Sequence, residues 1–306
     1  MKSITQPLLW LSFILWSDHA STQNFYNSWY YNENDLIWEA GGGPGIMNCL
    51  TDLGGKRTGR RGLLNQIRWS TSRPSVNLYA AATYKDLLAF RFNWIAGSIN
   101  AADSLLKKED PDLSGRYGRN LSFRSPIREF SLVAEVHPLF WRTGVLEQVP
   151  AFSPYLLAGI GYYLFNPQTL LGKRRIDLRP LHLEGQGFPL AAKGSVYHLR
   201  QLSIPAGFGI RYETGPLVNI RLECVYRFLF TDYLDDVSTV YIDPGYFDRY
   251  LEPEQATLAK QLYQRMDELQ PGLEPATGTA RGNPSKKDAY FSLQLVIGYV
   301  FRNRVK

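Results

Sequence analysis

Residues 289–302 read AYFSLQLVIGYVFR. Phe291, Leu293, Leu295, Ile297, Tyr299 and Phe301 take one set of alternate positions, and Ser292, Gln294, Gly298 and Arg302 take the other. Side chains of a strand point alternately to its two faces, so this period predicts a strand with one apolar and one polar side. The stretch before it behaves alike. Ile220, Leu222, Cys224, Tyr226 and Phe228 oppose Asn219, Arg221, Glu223 and Arg227.

Working back along the chain, the alternation recurs. Leu88, Phe90, Phe92 and Trp94 oppose Arg91, Asn93 and Gly97; Phe130, Leu132, Ala134 and Val136 oppose Glu129, Ser131 and Glu135. Leu156, Ala158, Ile160 and Tyr162 oppose Ser153, Gly159 and Gly161; Leu202, Ile204, Phe208 and Ile210 oppose Ser203, Gly207 and Arg211. With LIWEAGGGPGIM (36–47) and SVNLYAAATY (75–84) the set comes to about eight strands. Short links at Lys85-Asp86 and Thr214-Gly215-Pro216, and a medium one at 139–150, alternate with long stretches at roughly 48–74, 98–122, 166–198 and 231–288. Short periplasmic turns alternating with long external loops are the pattern of outer-membrane barrels. The expected fold is therefore all-β, an eight-stranded antiparallel transmembrane outer-membrane β-barrel.

Composition agrees. The 306 residues are 20% charged and 14% aromatic, while a mean hydropathy of −0.24 excludes a bundle of membrane helices. The rival is a soluble lipocalin-like barrel with the apolar face turned inward. Gly41, Gly43, Gly97, Gly159, Gly161, Gly207, Gly209 and Gly298 share the charged face, and small residues belong where side chains crowd a narrow lumen. The bulky Phe, Trp, Leu and Tyr face then belongs to lipid. Tyr84, Trp94, Tyr162, Tyr212, Tyr226 and Tyr299 read as interfacial belt residues on it.

Residues 1–22 read as a signal peptide: Lys2, a short apolar core from Leu8 to Trp16, and small residues Ala20-Ser21-Thr22. Residues 23–35 follow as a periplasmic segment, 36–303 as the barrel and 304–306 as a periplasmic tail. The net charge of +6 points to anionic lipid headgroups; nucleic acid is not expected for an exported protein. Cys49 reads as a loop residue and Cys224 as a small lipid-facing hydrophobe, with no disulfide between them.

The presumed lumen carries Glu39, Arg91, Glu129, Glu135, Arg211, Arg221, Glu223 and Arg227. Desolvated charges persist when paired, so the expectation is an Arg–Glu network plugging the barrel. No enzymatic site is expected. Outside the signal the histidines are His137, His182 and His198, and nothing orients a His198–Ser203 pair. There is no zinc spacing, HExxH, P-loop or calcium-loop pattern, so neither cofactor nor metal nor small-molecule substrate is expected. Asp232, Asp235, Asp236 and Asp243 read as solvated or Arg-paired loop carboxylates, and 253–270 as a loop helix on the rim, with Leu258, Leu262, Met266 and Leu269 at helical spacing. Phe25, Tyr26, Trp29, Tyr30 and Tyr31 near the mature N-terminus read equally as a membrane anchor or as a docking segment.

The loops bear a family resemblance. Glu39-Ala40-Gly41 to Asn48, Thr51-Asp52-Leu53-Gly54-Gly55, Arg119-Asn120-Leu121-Ser122-Phe123-Arg124-Ser125, Pro154-Tyr155-Leu156 to Gly161 and Phe165-Asn166-Pro167 carry it. So do Leu178-Arg179-Pro180, Leu183-Glu184-Gly185-Gln186-Gly187, Phe230 to Ser238 and Arg281-Gly282-Asn283-Pro284. Together, from about Asp35 to Phe301, they resemble the PorG-like outer-membrane barrels of the type IX secretion system. Met47-Asn48-Cys49-Leu50 and the five residues after Phe301 depart from the pattern. The resemblance implies an accessory role in protein export and gliding machinery, with a periplasmic ring of a lipoprotein and its partner protein. The candidate docking residues on that side are Phe25, Trp29, Tyr30, Tyr31, Trp141, Arg142, Arg302 and Arg304. A stand-alone structural or ligand-binding barrel is the alternative, and a lipid-modifying enzyme using His182 or His198 a third reading.

Overall fold

A computed structural model describes residues 36–54, 69–106, 114–142, 151–189, 196–215 and 217–301. In chain order the strands are β1 (Leu36–Leu50), β2 (Arg73–Tyr84), β3 (Leu88–Ala102), β4 (Ser122–Val136), β5 (Phe152–Phe165), β6 (Gln168–Leu171), β7 (Arg174–Asp177), β8 (Arg200–Glu213), β9 (Val218–Leu229) and β10 (Ala289–Phe301). Each long strand pairs antiparallel with its sequence neighbour. β1 also pairs with β10 from Trp38↔Phe301 to Leu50↔Ala289, and β5 with β8. With β3 on β4, the eight long strands close into a barrel, and the short β6–β7 hairpin hangs from β4 and β5. The chain is an eight-stranded antiparallel β-barrel.

The faces decide its solvent. Phe90, Leu132, Ile160, Phe208 and Ile297 are each more than half exposed on the outside, while Arg91, Glu135, Arg221 and Glu223 are at most 2% exposed inside. A soluble barrel would invert this, because so broad an exposed apolar belt is stable only against hydrocarbon. The outward apolar surface and inward charge make this a transmembrane barrel of the outer-membrane type. The tight end agrees: Leu87 N–H donates to the Tyr84 carbonyl at 3.1 Å, and Lys85 and Asp86 between them both have positive φ, the backbone of a primed hairpin turn.

Three sequence expectations change. The strands run several residues past the alternation, so Cys49 stands in β1 opposite Tyr290 and not in a loop. Toward that end Met47, Ile95, Ile99, Phe123 and Ile127 point inward and join one hydrophobic cluster with the loops above. The lumen also admits large rings. Tyr79, Tyr155, Tyr163 and Tyr290 are buried inside it, and for the first two a glycine directly opposite on the neighbouring strand makes the room. A Cβ on Gly41 would fall within 3 Å of the Tyr79 ring, and one on Gly209 within 3 Å of Tyr155. Glycine on the charged face is therefore a socket for tyrosine rather than a sign that rings are absent.

The long loops fold. They carry helices α1 (Ser114–Arg119), α2 (Gly245–Tyr250) and α3 (Pro253–Leu262), whose buried residues Phe247, Ala256, Ala259 and Leu262 pack over the upper mouth. α3 ends at Leu262, earlier than the 253–270 expected; Met266 is partly buried but Leu269 is 42% exposed, so the apolar spacing outruns the helix.

Candidate functional site

The lower lumen is built by the strand alternation, which aims residues of facing strands at one axis. Arg221 of β9 bonds Glu39 of β1 and Glu135 of β4, each at 2.9 Å. Arg91 of β3 joins Glu135 at 2.8 Å and grips both oxygens of Glu223, with Nη2–Oε2 at 2.9 Å. The Tyr155 hydroxyl donates to Glu223 at 2.5 Å, and Tyr79 donates to Glu39. Five charges thus form one chain from Glu39 to Glu223. Nearer the upper mouth Arg227 pairs with Glu129 at 3.2 Å and donates to Ser292 at 2.6 Å. At the short-turn end Arg211 lies 3.0 Å from Glu213 and 3.8 Å from Asp86, beside a cleft of about 10 Å³, room for one water.

All eight lumen residues singled out from the sequence are therefore buried inside, but in three groups. The reading omitted Glu213, Tyr79, Tyr155, Tyr290 and His137. Strand parity could have found Glu213 and Tyr155, which share the inward face with Arg211 and with Gly159. An interior so filled by its own side chains is what a barrel of this strand number produces.

The three histidines lie in three separate places. His137 is wholly buried, its Nδ1 3.1 Å from Ser153 Oγ and its Nε2 3.6 Å from Glu135. The order serine, histidine, carboxylate is that of an acyl-transfer triad. Here, however, Glu135 already serves two arginines and all three side chains are sealed from solvent. Ser203 is fully buried on β8 with its hydroxyl unpartnered, while the His198 carbonyl accepts from Gln201. His182 caps a short turn with φ 48° and packs on Phe188. Burial lowers its pKa.

The second constellation is the external cap. Arg119 binds Asp103 through Nε at 2.7 Å and Nη2 at 3.0 Å, the Asp52 carbonyl at 3.1 Å, and the Arg281 carbonyl. Arg281 in turn binds Glu184 at 2.9 Å and the Asp236 and Tyr263 carbonyls. Two buried arginines thereby join all four long loops. Around them Asp235 accepts the amides of Leu53 and Val237, Asp288 that of Leu234, and Asp52 that of Asn283. Asp232 accepts the Ser238 hydroxyl and Asp236 the Tyr197 hydroxyl. Asp232, Asp235 and Asp236 are thus buried and locally bonded, not solvated or Arg-paired as expected, because the Leu53 and Val237 amides and the Ser238 and Tyr197 hydroxyls take the place of water. Burial pushes Asp235 up to about 8 and Asp232 and Asp236 up to about 7, and raises Asp52 and Asp288 as well. Asp243 remains at the surface, accepting Gly245 N–H at 2.8 Å. Among the described residues no group of three or more His, Cys, Asp or Glu is arranged to hold a metal.

On the short-turn side Trp141 is 72% exposed, at the end of a 3-10 turn, Pro138–Arg142. Phe25, Trp29, Tyr30, Tyr31, Arg302 and Arg304 lie outside the described residues, as does the Arg142 side chain. The signal segment lies outside them too.

No protein-family model and no curated protein matches the chain. Solved barrels do. Neisserial surface protein A matches at 9% identity and TM-score 0.39, covering 88% of this chain and 98% of its own. OprG of Pseudomonas aeruginosa matches at 10% and 0.41, with 87% and 96% covered; the N-terminal barrel domain of that organism's OprF at 8% and 0.34, with 88% and 98%. No property of those proteins transfers at such similarity; the barrel assignment rests on this chain's own pairing and faces.

Proposed function

We propose that the chain is a closed anchor of the Gram-negative outer membrane, exported by a cleaved signal peptide, that acts by docking other proteins and not by conducting or catalysing. One observation carries this: the barrel is blocked twice, by the ion-paired lower lumen and by the cap folded over the upper mouth. A barrel through which nothing passes works through its ends. The exposed Trp141 on the short-turn side is the kind of aromatic that anchors an interface. Following the loop-motif resemblance, the docked partner is a periplasmic lipoprotein or ring component of type IX secretion, and the chain an accessory subunit of that machinery.

Co-purification from detergent-solubilised outer membrane tests it. A secretion component should accompany the wild type and be released by Trp141→Ala or by deletion of 24–31, while deletion of 253–262 in the cap leaves it bound. Planar bilayers should show no steady current. A second reading, a stand-alone barrel, is favoured by one observation: Asp52, Arg119, Glu184, Asp236 and Arg281 of the resembling motifs all meet inside the cap. Those motifs serve to fold the outer face, as an envelope or surface barrel also requires. Absence of any secretion component from the purified wild type would select that reading.

A further inference from the structure

The outward positions of the eight barrel strands hold three charged side chains among the described residues: Arg124, Arg128 and Arg200. (Arg73, first in β2, holds an inward register opposite Met47.) All three are arginines, and all fall on β4 and β8, the two strands flanking β5. Elsewhere the outer wall is apolar or neutral. The pairing places Arg128 beside Leu164 and Leu164 beside Arg200, so the two guanidinium-bearing positions share one rung, about 10 Å apart across two strand spacings. The next outward rung toward the short turns runs Trp94, Phe130, Tyr162, Leu202, and below it the wall stays apolar down to Val136, Phe152 and Tyr212. A cationic rung directly above an aromatic one, on the long-loop side, sits at the depth of the outer leaflet's headgroups.

Neither Arg128 nor Arg200 has an acidic or hydrogen-bond partner among the described residues, and both are exposed. Arg124 reaches only Ser98, at 3.4 Å. The nearest carboxylate on the adjoining hairpin, Asp177, is taken by Asn166 and Gln168, and Lys173, Arg174 and Arg175 stand exposed on the same hairpin. The lumen arginines Arg91, Arg211, Arg221 and Arg227 are each matched to carboxylates, and Arg73 donates to the Asn100 side chain. We infer that the β4–β5–β8 wall is a binding site for a phosphorylated lipid of the outer leaflet, with Arg128 and Arg200 holding its phosphate groups and the Phe130–Tyr162–Leu202 rung its acyl chains. Arginine's planar fork matches phosphate oxygens two at a time, and the neighbouring hydrocarbon lowers the competition from water. The phosphate belongs to a lipid and not to a free ion because an apolar rung lies within one residue pair of both arginines.

Native mass spectrometry of the full chain in neutral detergent tests this, with phosphorylated lipid A, its dephosphorylated form, and inorganic phosphate as competitor. The wild type should retain the phosphorylated lipid over the dephosphorylated one. Arg128→Gln with Arg200→Gln should weaken retention about tenfold or more, and each single change less. Arg73→Gln should leave it unchanged. Equal retention by the double variant, equal retention of the dephosphorylated lipid, or displacement by inorganic phosphate would each overturn the inference. Should the double variant fail to reach heat-modifiable form, the two single variants decide by the same criterion.

Discussion

In the lower lumen every arginine stands beside carboxylates: Arg221 between Glu39 and Glu135, Arg91 between Glu135 and Glu223. In the cap the aspartates crowd one another. Asp235 neighbours Asp52, and Asp288 neighbours both Asp235 and Asp232, with backbone amides as their main bonds. The first region is held by opposite charges that strand register brings together. The second has two buried arginine pairs, Arg119–Asp103 and Arg281–Glu184, but adds main-chain donors that close loops across as many as 231 residues, as when Asn283 N–H meets Asp52. Removing one partner should therefore hurt the lumen most, whereas the cap should respond most to protonation.

The largest expected effect tests the first half. Arg221→Met leaves Glu39 with the Tyr79 hydroxyl but no cation and Glu135 with Arg91 as its arginine, both carboxylates buried. Loss of one partner from a buried ion network costs about 3–5 kcal/mol. The urea midpoint of the detergent-folded barrel, read by its heat-modifiable gel mobility, should fall accordingly. Adding Glu39→Gln should return part of the loss. An unchanged midpoint would show that the network does not hold the barrel.

Next comes the cap's own core. Phe247 is fully buried against Phe188 and Tyr263. Phe247→Ala should cost about 3 kcal/mol, but locally. Protease nicking within 230–288 should rise while the barrel's urea midpoint moves much less, because loops can open without breaking strand pairing. A shift as large as that of Arg221→Met would mean that cap and barrel unfold as one unit. The shared cluster of Ile99, Phe123, Tyr290 and Leu234 makes that the serious alternative.

The same contrast explains what was legible in the sequence. The lumen residues could be named because a period of two ties each charge to a face. Glu39 and Arg221, 182 positions apart, both read as inward from alternation alone, and in the fold they bond. The partition into three groups was not legible, since it depends on barrel stagger, which no single strand encodes. Nor was the upper lumen. Ile99 and Ile127 sit inward beyond the charged rungs, where the partner is folded loop and no longer a polar channel, so the polar-inward rule fails there. The cap was visible only as motifs. Asp235 and Asp236 look like solvated or Arg-paired loop acids because their donors include the Leu53 amide and the Tyr197 hydroxyl, which lie far away in the chain.

The smallest effect is the pH response, and its sign separates the two regions. Burial raises Asp235 to about 8, against about 3.9 for an unfolded aspartate. Asp232 and Asp236 reach about 7, and Asp52 and Asp288 move the same way. The facing groups are mixed: Arg116, Arg119, Arg281 and Lys287 favour the ionised carboxyls, while Glu184 opposes them. A carboxyl raised on folding stays protonated in the folded cap while it ionises in the opened one. Its stabilisation is therefore greatest in acid and is lost as pH climbs from about 4 to about 8. Each unit of such difference is worth about 1.4 kcal/mol, or tenfold in an opening equilibrium. Hydrogen exchange at the Leu53, Leu234 and Val237 amides, corrected for intrinsic rates, should show cap opening rising about tenfold or more between pH 6 and pH 9. Asp235→Asn, which keeps an acceptor oxygen but cannot ionise, should flatten that rise. Exchange at the lower strand amides, such as that of Leu222, should stay level. Cap opening that increases on acidification instead would mean that these carboxylates hold the loops as anions, and the contrast between the two regions would collapse.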